Sequence, residues 1–156
     1  LEILSHLDTP ARVDALAAFH EKWRDDNIVV DKWLALQAAS SLPGALDDVQ
    51  ALLRHESFSI RIPNKVRALI GAFCNANQVR FHAADGAGYE FLADRVLELD
   101  ALNPQVAARL LGPLGPWRKF DAGRQQKMKG QLQRILESER TLSPDVFEIA
   151  SKSLGR

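Results

Sequence analysis

The chain has 156 residues, 46% of them hydrophobic and 26% charged, and its twenty basic side chains balance its twenty acidic ones. That is the composition of a globular protein able to bury roughly 70% of its unfolded surface, and it excludes a global field directed at nucleic acid or anionic lipid. A single cysteine, Cys74, excludes a disulfide framework and fits a reducing compartment, while the longest apolar runs fall well short of the ~18–20 residues a membrane span needs.

The charges are unevenly spread. Acidic side chains are in excess over residues 1–56 and basic ones over 117–156. This gradient suits a domain presenting different faces to different neighbours, or a solvated C-terminal helix rich in Lys and Arg. The opening Leu1-Glu2-Ile3-Leu4 has neither a methionine nor a helix cap and no signal-peptide pattern, so the chain reads as a fragment of a longer protein that enters an existing helix.

Helix then follows helix. Thr9-Pro10 places a capping residue before a proline at the first helical position, and a helix is predicted from there to about Arg24, with Val13, Leu16, Ala17 and Phe19 or His20 inward. Asp25, Asp26 and Asn27 break it. A second is predicted from Ile28 to Ala39 with Ile28, Val29, Trp33, Leu36 and Gln37 inward. Leu42-Pro43-Gly44 makes a turn, and Leu46, Val49, Leu52 and Leu53 define a third helix ending near His55. The alternating Phe58–Ile62 has no partner strand.

Pro63 starts the next helix, with Val66, Leu69, Ile70 and Phe73 as its apolar stripe. Asp85-Gly86 leads into another carrying Tyr89, Leu92, Ala93, Val96, Leu97 and Leu99. Asn103-Pro104 repeats the cap-and-proline signal ahead of Val106, Leu110 and Leu111. After an irregular piece bounded by Pro113 and Pro116, Asp121 opens a long helix with Met128, Leu132, Ile135 and Leu136 inward, and Ser143-Pro144 caps the last. Short turns between helices imply antiparallel neighbours. The expected fold is therefore all-α, an irregular armadillo- or HEAT-like superhelical stack over a single domain, residues 1–156.

Catalytic chemistry is hard to place on this chain. A helical zinc site needs two histidines one turn apart with a glutamate between them. His20-Glu21-Lys22-Trp23-Arg24 and His55-Glu56-Ser57-Phe58-Ser59 both lack the second histidine. Cys74 has no assignable base and reads as a buried thiol. The adjacent pairs Asp25/Asp26 and Asp47/Asp48 do not share a helix face.

Two arginines remain as binding candidates. Arg67 lies at the edge of the apolar stripe, with Gly71 four residues on and Cys74 seven, so its helix face is otherwise small. It is either an arginine snorkelling beside the core or a guanidinium projecting into a cavity. Arg109 shares a helix face with Gln105, as a plain solvated surface or as donors to a peptide carbonyl or carboxylate.

The stretch Pro63–Tyr89 resembles the C-terminal helical domain of bacterial aminopeptidase N, a gluzincin-type zinc exopeptidase. So do Phe19-His20-Glu21-Lys22-Trp23, Asp31-Lys32-Trp33, Asn103-Pro104-Gln105-Val106-Ala107 and Phe120-Asp121-Ala122, in shared order and spacing. Ile62 departs from the family pattern, which has an asparagine cap before Pro63. The resemblance implies a non-catalytic lid, inactive alone, packed over a catalytic domain of the same chain that holds the zinc. No cofactor is expected in the fragment itself. Arg67, Arg109 and Gln105 would line a cavity admitting peptide substrates, in a cytoplasmic enzyme with no nucleic-acid or membrane partner. The alternative is a helical-repeat scaffold that binds protein or nucleic acid through Trp117–Arg140.

Overall fold

The computed structural model describes residues 1–139 and 141–156, and these fall into two compact units, Leu1–Arg80 and Phe81–Arg156. All regular structure among the described residues is helical, as expected.

The first unit contains α1 (Glu2–Ser5), α2 (Pro10–Trp23), α3 (Asn27–Ala38), α4 (Ala45–Leu52) and a run from Pro63 to Ala76. That run is α-helical over α5 (Pro63–Val66), π-helical over Arg67–Gly71 and α-helical again over α6 (Ala72–Ala76). A one-turn helix, α7 (Gln78–Phe81), follows. Asp26 caps α3, its Oδ1 accepting from the backbone N–H groups of Ile28 and Val29 at 3.1 and 3.2 Å. Ile62 enters α5 in an extended conformation without a side-chain cap, and Pro63, having no N–H, leaves one donor fewer to satisfy.

The core of this unit is Leu34, Val49, Val66, Leu69, Ile70 and Phe73, all fully buried. The face of α3 that packs inward is Val30, Trp33, Leu34, Gln37 and Ala38, which corrects the expected one. Ile28 is 70% exposed, and Val29 and Leu36 are only partly covered. Apolar side chains surround nearly the whole of α3, so periodicity alone does not fix its rotation. Tertiary contacts do. The Trp33 indole N–H donates to the Leu16 carbonyl at 3.0 Å, and the Asn77 amide, from beyond α6, donates to the carbonyls of Ala38 and Ser40. On α2 the expected inward positions Val13 and Ala17 are exposed, Val13 at 59%, and Leu16 alone is buried. Lys65 is buried and paired with Asp31 of α3 at 2.7 Å, a long-range partner that no local pattern announces.

The second unit comprises α8 (Ala87–Asp100), α9 (Pro104–Leu110), short 3-10 turns at Gly112–Leu114 and Trp117–Lys119, α10 (Ala122–Leu136) and α11 (Pro144–Leu154). The cap signals of this unit hold, whereas Thr9, expected to cap α2, makes no side-chain cap bond. Asn103, Asp121 and Ser143 accept from the backbone N–H groups of Val106, Arg124 and Val146. Tyr89, Leu92, Val96, Leu111, Leu114, Met128, Leu132, Ile135 and Val146 form the core, while Val106 and Leu97, expected inward, are half-covered.

Four cations of the 117–139 stretch spend donors on protein carbonyls and carboxylates. Arg118 bonds the carbonyls of Ser153 and Leu154, Arg124 that of His82, Lys127 that of Ala84, and Arg134 the Asp94 carboxylate. Arg118 and Lys129 also lie over the Trp117 ring. Arg140, the end of the stretch assigned to the scaffold alternative, lies outside the described residues. Within that stretch Arg118, Arg124, Lys127 and Arg134 are held in intramolecular bonds that a polyanion would have to break.

Candidate functional site

Arg67 sits in the first unit at the start of the π-helical turn, with an exposed side chain. Its guanidinium bends back along the helix, Nη2 donating to Asn64 Oδ1 at 2.7 Å and Nε to the Pro63 carbonyl at 3.4 Å. Backward bending follows from the tilt of the Cα–Cβ bond toward a helix N-terminus. The expected small-residue face under Arg67 is only partly present. Gly71 flanks it, and a Cβ there would meet only Arg67 Cβ and the Val66 carbonyl at ordinary distances. Cys74 is in the core instead. Burial pushes the Cys74 thiol far above its ordinary pKa and so disfavours the thiolate that a nucleophile needs.

Gln105 and Arg109 are brought together in the second unit. Both are exposed on α9 and line an open groove of about 370 Å³ with Ala108. The opposite wall is Asp145, Glu148 and Ile149 of α11. Those two carboxylates went unmarked in the sequence, because the α9–α11 pairing joins residues some forty positions apart. No ion pair within 4 Å ties Arg109 to either among the described residues, so the guanidinium and the carboxamide both face the groove with donors to offer.

The structure also gathers a cluster that sequence spacing does not reveal. His20 of α2 and His55, just beyond α4, stand edge to face with ring centroids 4.9 Å apart, and both pack on Trp33. Ser57 bridges them, its Oγ 2.7 Å from His20 Nε2 and its N–H donating to His55 Nδ1. That bond leaves the His55 proton on Nε2, which therefore offers no lone pair to a metal. Among the described residues no three His, Cys, Asp or Glu side chains gather as a metal site. Arg12, Glu21 and Asp48 line the same groove of about 510 Å³.

Burial, and then the neighbouring His20, hold His55 below the ordinary imidazole pKa, against an opposing pull from Glu56. In the second unit burial and Arg124 do the same to His82, which stacks on Phe120 and bonds the Tyr89 hydroxyl at 2.8 Å. A base whose folded pKa is depressed favours folding while neutral. Its contribution is complete above the unfolded pKa of about 6.5 and is lost as pH falls through the lower folded value. Thermal melts between pH 8 and 5 should therefore show a falling Tm from about pH 6.5 downward; a flat Tm from 6.5 to 5 would contradict this.

A family model described as "Domain of unknown function (DUF3458_C) ARM repeats" matches residues 1–155. The chain belongs to this family of ARM-repeat domains. Among its relatives, aminopeptidase N of Caulobacter vibrioides is 47% identical over 144 residues, covering 92% of the domain and 17% of the relative. Aminopeptidase N of Escherichia coli K12 is 42% identical over 146 residues, covering 94% and 17%. The crystal structure of Legionella pneumophila aminopeptidase A in complex with aspartic acid superposes on 99% of the domain and 18% of that chain, with a TM-score of 0.92 at 34% identity. The domain thus spans less than a fifth of the length of the aminopeptidases it matches, and no helix among its described residues is long and apolar enough to cross a membrane.

Proposed function

We propose that the domain is the non-catalytic C-terminal lid of a cytoplasmic zinc aminopeptidase that removes N-terminal residues from peptides. The observation that carries this reading is its likeness to aminopeptidase N, 42–47% identity along nearly the whole chain. In this reading residues 1–156 serve as one domain packed on the catalytic portion of the same polypeptide, where the zinc and the hydrolytic step belong. Among the described residues none gather to hold the metal, so no step of hydrolysis is assigned to them, and in this reading the domain alone is inactive.

Arg67, Arg109 and Gln105 line the substrate cavity. A guanidinium and a carboxamide with unspent donors suit the carbonyl or carboxylate end of a peptide whose amine is held elsewhere. Exposure keeps each contact near 1 kcal/mol, about fivefold in binding. In the full-length enzyme, Arg67→Ala or Arg109→Ala should raise KM for short peptides about fivefold with zinc content unchanged. Unaltered kinetics of both variants across short and long peptides would sink the assignment.

A further inference from the structure

Arg67 and Arg109 differ in how they are held. No side-chain hydrogen bond holds Arg109 among the described residues, whereas Arg67 is tethered to the first turn of its own helix through Asn64 Oδ1 and the Pro63 carbonyl. The tether uses Nε and one Nη2 hydrogen and leaves the rest of the guanidinium fork free. Its base is rigid. Val66, Leu69 and Ile70 around Arg67 are fully buried, Lys65 is buried in its pair with Asp31, and Pro63 fixes the backbone at the helix start. The turn that begins at Arg67 is π-helical, a local irregularity frequent at functional sites, and Gly71 keeps the neighbouring face open.

An exposed arginine that must be frozen on binding loses rotamer freedom at that moment, and one already aimed loses less. Resting on the cavity assignment above, we infer that Asn64 is a positioning residue: it aims the Arg67 guanidinium so that its free edge receives the terminal carboxylate of a short peptide. Asn64 itself does not touch the substrate. Its effect passes wholly through Arg67.

The test is a double-mutant cycle in the full-length enzyme, with a tripeptide and its C-terminal amide as probes. Arg67→Ala should raise KM for the free acid about fivefold and Asn64→Ala about threefold, with kcat unchanged and the amide unaffected in both. The double variant should be no worse than Arg67→Ala. If Arg67→Ala changes nothing, the cavity assignment fails and the inference with it. If Arg67→Ala acts as stated but Asn64→Ala equals wild type, slows the amide equally, or adds to Arg67→Ala in the double variant, the cavity assignment stands and the role of Asn64 is overturned.

Discussion

Gly88→Ala should cost the second unit about 3 kcal/mol, because a Cβ at residue 88 would lie 2.3 Å from the Phe81 carbonyl oxygen and 3.0 Å from two further backbone atoms. Those atoms belong to the chain entering α8, fixed by the fully buried Phe81, whose ring packs edge to face on Tyr89 at 5.3 Å. Neither backbone segment can yield without moving a core aromatic, which is the costly form of overpacking. Gly88 lies in the first turn of α8, where the gain that alanine brings is at most the roughly 1 kcal/mol of a helix interior and does not offset this. Gly130, inside α10, has nothing within 4 Å of its Cβ position, so Gly130→Ala meets no obstacle. It should stabilise by about 0.5–1 kcal/mol. Chemical denaturation of the two variants therefore gives opposite signs. Equal shifts would show that the Phe81–Gly88 approach relaxes freely.

Both glycines look alike in the sequence, and the reason marks the boundary of what a sequence discloses here. Local chemistry is legible. Pro10, Pro104 and Pro144 start their helices where expected, Asp121 and Ser143 cap as expected, and the stripe Val66, Leu69, Ile70, Phe73 is fully buried. These signals depend on residues within a turn of one another. What fails depends on partners far along the chain: the rotation of α3, the burial of Lys65 on Asp31, and the meeting of His20 with His55 across Trp33.

The candidate site divides in the same way. That Arg67, Gln105 and Arg109 stand at the surface, the last two on one helix face, follows from their offsets to the apolar positions. The π-turn beneath Arg67 and the acidic wall opposite Arg109 do not, since one is a register change and the other a tertiary pairing. The proposal that this surface meets a peptide rests on likeness to whole aminopeptidases, not on the residues' geometry.

Asp100→Ala should be comparably damaging, through polar rather than steric loss. Asp100 is a buried carboxylate at the last turn of α8, and Ser143, the cap of α11, gives it two bonds: the backbone N–H to Oδ2 at 2.9 Å and the hydroxyl to Oδ1. With its hydrogen committed to Asp100, the Ser143 hydroxyl presents a lone pair to the Val146 N–H at 3.2 Å. One carboxylate thus fixes both the entry of α11 and the orientation of its cap. Hydrogen bonds to a charged group are worth about 1.5–3 kcal/mol each and a cap about 1 kcal/mol. The three share atoms and do not add, so about 3 kcal/mol is expected for their joint loss. Asp100→Asn, which keeps one acceptor oxygen but sets an amide against a donor, should fall between wild type and Asp100→Ala. Ser143→Ala, which retains the backbone bond, should cost about 1–2 kcal/mol. Hydrogen exchange distinguishes this from general weakening: the amides of Val146 and its neighbours in the first turn of α11 should lose protection in Asp100→Ala before those of α8 do. Uniform loss along both helices would mean that Asp100 supports the unit as a whole and not the α11 cap in particular.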